Sequence, residues 1–191
     1  MRATILTMLS ALVAACASVP DTAPLPSVVQ LEAEAESPAE FGAALLATAE
    51  AAGDEATRAP YLARLNGLGV QVAEGESDDP LAAWRAADTS TSTPWRGRTL
   101  GPAYRRARLA PGESMEMEQV FYAGQKAEIA AHASKGARVE LTISDRDTKR
   151  VCARSLSPKA KCLWLPRFTE RFAITLTNRG ERPASVFIVV R

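Results

Sequence analysis

Phe172-Ala173-Ile174-Thr175-Leu176-Thr177, then Asn178-Arg179-Gly180-Glu181-Arg182-Pro183, then Val186-Phe187-Ile188-Val189-Val190 is the stretch that decides the fold. Its first segment alternates apolar and small or polar residues, the signature of a strand with one buried face. The turn residues between argue a β-hairpin over residues 169–191. The last segment is apolar on both faces, and a strand buried on both sides belongs at the centre of a sheet. These residues therefore predict a sandwich with a central C-terminal strand.

Upstream, similar signals recur about every ten residues. Residues 104–109 lead to the turn Ala110-Pro111-Gly112, residues 114–122 to Ala123-Gly124-Gln125, and residues 126–133 to Ser134-Lys135-Gly136. Residues 138–144 alternate, with Val139, Leu141 and Ile143 on one face; residues 150–154 and 161–165 follow. Some eight short strands with polar turns predict a mainly β fold, an antiparallel β-sandwich or jelly roll over residues 100–191.

The preceding segment is helical and acidic. Ser37-Pro38-Ala39-Glu40 is a helix start with a capping serine, a proline at the first turn and a carboxylate three residues on. That helix is expected to stop at Gly53, a second to cover residues 60–66 and a short third to follow Asp79-Pro80. The helical region spans residues 37–87, and the Thr/Ser run within residues 88–99 reads as a linker. Residues 16–36 mix proline, serine, alanine and glutamate and read as a tether; about twenty residues of coil reach on the order of 25 Å.

Residues 1–15 carry Arg2 and then an uncharged, mostly apolar run too short to span a bilayer as a helix. The run ends Leu12-Val13-Ala14-Ala15-Cys16, which resembles the lipobox of bacterial lipoproteins. The resemblance implies a signal peptide over residues 1–15 and lipid attachment at Cys16. An ordinary signal peptide cut after Ala17 is the alternative. Alanine at position 17 resembles the pattern that sorts such proteins to the outer membrane, facing the periplasm. With Cys16 as anchor, Cys152 and Cys162 remain as a pair around a short Ser/Pro turn. A disulfide is expected there; no CxxC spacing and a single histidine argue against a metal or redox site.

The net charge of +1 hides a split. Residues 17–94 hold thirteen acids and three bases, residues 95–191 nine acids and nineteen bases. Either the halves complement each other within one molecule, or the basic half meets an anionic partner. The densest basic run is Trp95, Arg96, Arg98, Tyr104, Arg105, Arg106 and Arg108, the expected binding surface; in an exported chain an envelope protein or glycan is the partner class, not nucleic acid. An exposed edge strand kept soluble by charge is the plainer reading of the same run. Trp164 is a candidate sugar platform or a core aromatic.

Leu109-Ala110-Pro111-Gly112, Phe121-Tyr122-Ala123-Gly124-Gln125, Leu141-Thr142-Ile143-Ser144-Asp145 and Phe172-Ala173-Ile174-Thr175-Leu176-Thr177-Asn178 together resemble the bacterial pre-peptidase C-terminal domain. The resemblance covers about half the chain and implies a small sandwich found beside secreted proteases and in envelope proteins. Ala137-Arg138-Val139-Glu140 stands where the family's Asp-x-Asp-Leu type of motif is expected, which undercuts a family calcium site. No protease domain precedes the module, so proteolysis is not carried over. Asp145-Arg146-Asp147 reads as a turn before a calcium ligand set. His132, the single histidine, has no evident serine and carboxylate partners for a triad. The sequence thus predicts a non-catalytic, cofactor-free envelope lipoprotein that binds a protein partner, with carbohydrate binding and a divergent hydrolase as alternatives.

Overall fold

In the computed structural model, which describes residues 24–87 and 101–191, the alternation of the C-terminal half becomes two facing sheets. The elements in chain order are α1 (Val28–Glu34), α2 (Pro38–Ala51), α3 (Glu55–Leu68), β1 (Gln71–Val72), α4 (Pro80–Ala87), β2 (Ala103–Leu109), β3 (Ser114–Phe121), β4 (Ala127–Ala133), β5 (Val139–Ser144), β6 (Arg150–Leu156), β7 (Lys159–Trp164), β8 (Glu170–Asn178) and β9 (Ala184–Val190). One sheet has the order β1-β2-β9-β4-β7 and the other β3-β8-β5-β6. Ile129, Leu141, Ile143, Ile174, Leu176 and Ile188 fill the space between them.

Both faces of β9 are buried, and it lies between β2 and β4 as its sequence predicts. Val186 and Ile188 face the sandwich interior, whereas Phe187 and Val189 face the helices. The expected closing hairpin is corrected: β8 pairs with β3 and β5, and β9 with β2 and β4, so the turn after Asn178 crosses from one sheet to the other. The physical reason is a buried polar knot. The Asn178 side-chain amide donates to the carbonyls of Leu109, Ala110 and Arg182, tying the ends of three strands together. The disulfide between Cys152 and Cys162 is present, with Cα atoms 6.1 Å apart, and joins β6 of one sheet to β7 of the other at their shared lateral edge.

The helices form a third layer over the β9 sheet, and no described helix covers the outer face of the other sheet. Gly42, Leu45 and Leu46 of α2 are buried, as is most of that helix, because it lies between the sheet, α1 and α3. Gly42 lies against Val70 and Val189, where an added Cβ would make ordinary van der Waals contacts at 3.5–4.0 Å. Phe187 rises from the sheet between Trp84 and Tyr104, each ring pair 6.3 Å apart.

Two expectations about this region are revised. Residues 27–34 are not tether: Ser27 and Gln30 form a reciprocal capping box at the start of α1, and Leu31 is buried in the helical core. The second helix begins at the Asp54 cap and contains Pro60 rather than starting there, since Asp54 satisfies the Thr57 N–H. It ends at Gly69, whose positive φ a side chain would disfavour. The proposed linker, residues 88–99, and the signal segment both fall wholly outside the described residues.

Candidate functional site

Strand geometry decides the fate of the basic run on β2. Successive residues point to opposite faces, so Arg105 and Arg106 cannot share one surface. Arg106 turns toward the helices, where it donates to Asp78 through Nε and Nη2 and to Glu50 at 2.9 Å through Nη1. Its side chain is only 8% exposed. Burial alone would lower its affinity for the proton, but the two carboxylates more than offset this and raise it. Asp78 is held below its ordinary value, chiefly by the hydrogen bonds from Arg106. Arg105, on the opposite face, reaches Glu76 at 2.7 Å.

Tyr104 is fully buried, its hydroxyl donating to Asp79 at 2.5 Å and accepting from the Leu81 N–H. Burial and the carboxylate together push this phenol up. The expectation of a docking face through Tyr104, Arg105 and Arg106 is therefore corrected: the chain's own acids occupy those groups. Farther along the layer boundary, Lys159 meets Glu40 at 3.5 Å, and Lys161 bridges Glu36 at 2.5 Å and Glu40 at 3.5 Å. Arg108 is exposed and makes none of these pairs. Trp95, Arg96 and Arg98, like Cys16, lie outside the described residues.

A different surface emerges where the sheets meet the loops after β3, β5 and β7. These loops gather because Trp164 packs edge-on against Phe121 at 4.8 Å and lies 5.4 Å from Phe172, binding the ends of β7, β3 and β8 into one aromatic cluster. Backbone bonds then tie the first loop to the third: the Gly124 N–H donates to the Pro166 carbonyl and the Ala123 N–H to the Thr169 hydroxyl. On this scaffold Phe168 is 65% exposed, Leu165 64% and Tyr122 59%, with Val151 beside Leu165 and Phe168. A shallow cavity of about 270 Å³ opens between Val151, Trp164, Leu165 and Phe168. Its rim mixes signs: Asp145, Asp147 and Glu170 alternate with Arg146 and Arg167.

Trp164 sits under this surface rather than on it. Its indole N–H is buried without an acceptor and its ring is packed by two phenylalanines. Asp145 behaves as a turn residue, its carboxylate accepting from the N–H groups of Asp147 and Lys149. Among the described residues no group of three or more His, Cys, Asp or Glu side chains is placed to hold a metal ion. His132 lies on the helix-covered face of β4, with Nδ1 3.2 Å from the Ala133 carbonyl. Burial lowers its pKa, and Lys159 adds to that effect. Nothing in the sequence pointed to Phe168, Leu165 or Tyr122. All three lie in loops, where no periodicity marks a face, and their exposure is a tertiary fact.

No family model matches the chain, and no curated protein matches it. Among solved structures, the pre-peptidase C-terminal domain of a collagenase from Bacillus anthracis is similar at 5% identity, covering 47% of this chain and 89% of that one with a TM-score of 0.43. PliG of Aeromonas hydrophila, described as a periplasmic lysozyme inhibitor of g-type lysozyme, is similar at 8% identity over 47% of this chain and 86% of that one, with a TM-score of 0.35. Likenesses at this level place the chain in no family and carry no argument about activity.

Proposed function

We propose that the chain is a non-catalytic adaptor of the bacterial cell envelope, lipid-anchored through Cys16, that docks a protein partner on the loop end formed by Tyr122, Leu165 and Phe168. The observation that carries this reading is the concentration of exposed large apolar side chains at one end of the sandwich. Exposed apolar groups gathered on a preorganised surface are what interfaces are made of, and soluble surfaces elsewhere carry them singly. The rim of mixed charge fits the polar border of a protein interface; an anionic membrane would call for cations without accompanying carboxylates. The anchor fits the geometry as well. Pro24 and Pro26 lie beside the loop after β4 and the turn at Pro158, at the end of the sandwich opposite Trp164, so a membrane tether leaves the docking end facing outward.

Carbohydrate binding through Trp164 is the weaker reading, because the ring is partly buried and packed against Phe121 and Phe172 rather than presented on the surface. The experiment is site-specific photo-cross-linking in intact cells from position 168 and, as control, from position 108. A stoichiometric protein adduct from 168 that Leu165→Asp abolishes supports the proposal. No adduct from 168, or capture only of glycan sensitive to Trp164→Ala, overturns it.

A further inference from the structure

A second opening lies at the other end of the sandwich, between the helical layer and the loop after β4. It measures about 860 Å³, within the roughly 300–1,000 Å³ typical of small-molecule sites. Its walls are largely apolar: Leu31 of α1, Ala47 and Ala51 of α2, Ala133 and Ala137 around the end of β4, and Pro158. Alanines on both sides leave the gap. Deeper along the same contact, Leu45 and Leu46 meet Phe187 and close it completely.

The charges at this mouth differ from those on the rest of the layer boundary. There, cations of the sheet meet acids of the helices: Arg106 with Glu50, Lys159 with Glu40, Lys161 with Glu36. Here Glu50 is already held by Arg106, and His132 is driven toward its neutral form by burial. Lys135 and Arg138 line the opening, both exposed and, among the described residues, both without an ion pair, opposed by the carboxylate of Glu34. An apolar cleft with unmatched cations at its lip is complementary to a molecule with an apolar chain and an anionic head.

We infer that this cleft binds a single-chain anionic amphiphile of the fatty-acid class, its hydrocarbon against Ala47, Ala51 and Leu31 and its head group at Lys135 and Arg138. The site is separate from the docking end and stands whether or not that surface takes a protein partner.

Calorimetric titration of the purified full-length Cys16→Ser chain with dodecanoate, and with dodecyltrimethylammonium as the opposite-charge probe, tests the inference. Dodecanoate is expected to bind at one per chain and the cationic probe to bind at least about tenfold more weakly. Ala47→Leu with Ala51→Leu, which fills the cleft from the helix without entering the sandwich core, should abolish binding. Lys135→Glu with Arg138→Glu, two exposed loop changes, should weaken dodecanoate at least about tenfold and invert the head-group preference. Absence of dodecanoate binding overturns the inference. So does binding that ignores both pairs of changes and disappears instead with Phe168→Asp, which would put the ligand on the other end.

Discussion

The boundary between helices and sheet and the loop end of the sandwich carry opposite kinds of surplus. At the boundary the chain concentrates charge and then spends it on itself: Arg105, Arg106, Lys159 and Lys161 each meet an acid from the helical half. At the loop end it exposes Phe168, Leu165 and Tyr122, which no described residue covers. The lesson is that a dense charge run reports internal complementarity as readily as a partner. An uncovered apolar cluster on a hydrogen-bonded loop scaffold has no such internal explanation, and desolvation gives it a reason to be buried by something else.

The contrast can be broken by mutation. If the boundary is structural and the loop end functional, changes at the first should cost stability and leave docking intact, and changes at the second should do the reverse. Phe187→Ala empties the position between Trp84 and Tyr104 and should cost about 3–5 kcal/mol in urea unfolding. Replacing both Cys152 and Cys162 by alanine should cost about 3 kcal/mol, the chain-entropy value for a short loop, read under the same conditions. Arg106→Met leaves Glu50 and Asp78 without their partner and should cost about 2 kcal/mol, moderated because both acids are partly exposed. Retained stability in Arg106→Met would return that arginine to the list of binding candidates.

A smaller effect follows from His132. Its folded pKa lies below the unfolded value of about 6.5 because burial disfavours the imidazolium, with Lys159 adding to this and Glu40 and the Ala133 carbonyl opposing it. The unfolded chain therefore takes up the proton first, and stability is retained above about pH 6.5 and falls as the pH drops through that value. His132→Gln should flatten the slope in that window, measured by thermal unfolding across a pH series. At the bottom of the scale, Phe168→Asp should change stability by less than about 0.5 kcal/mol while abolishing the cross-link from the loop end. A large loss of stability there would mean that Phe168 is structural and the surface is not a docking site.

How much of this was legible depends on which kind of signal carries it. The strands from Ala103 onward were marked by alternation in several segments and by the turns between them, and the position of β9 followed from the apolar character of Phe187 and Val189 together with Val186 and Ile188. The sheet to which each strand belongs was not legible. Turn chemistry around Asn178 predicts a reversal, but only the distant carbonyls of Leu109 and Ala110 determine that the reversal crosses between sheets. Helix α1 was missed because the composition of residues 16–36 outweighed the Ser27 and Gln30 capping pair, and its stability comes from burying Leu31. Of the loop end, Trp164 was visible as an aromatic beside a cysteine. The surface above it was not, since exposure arises only when three loops distant in sequence converge.

The central placement of β9 also bears on how the molecule comes into being. A strand that completes one sheet and supplies the seat for the helical layer follows every other described element in the chain, while the helices it supports come first. Until Phe187 and Val189 are in place, α2 lacks part of its apolar support, and a short alanine-rich helix alone is marginal in water. The helical layer should therefore close only once β9 is in place. A chain ending before Ala184 should accordingly show no protected amides in α2 by hydrogen exchange, and protection there would show that the helices fold without waiting.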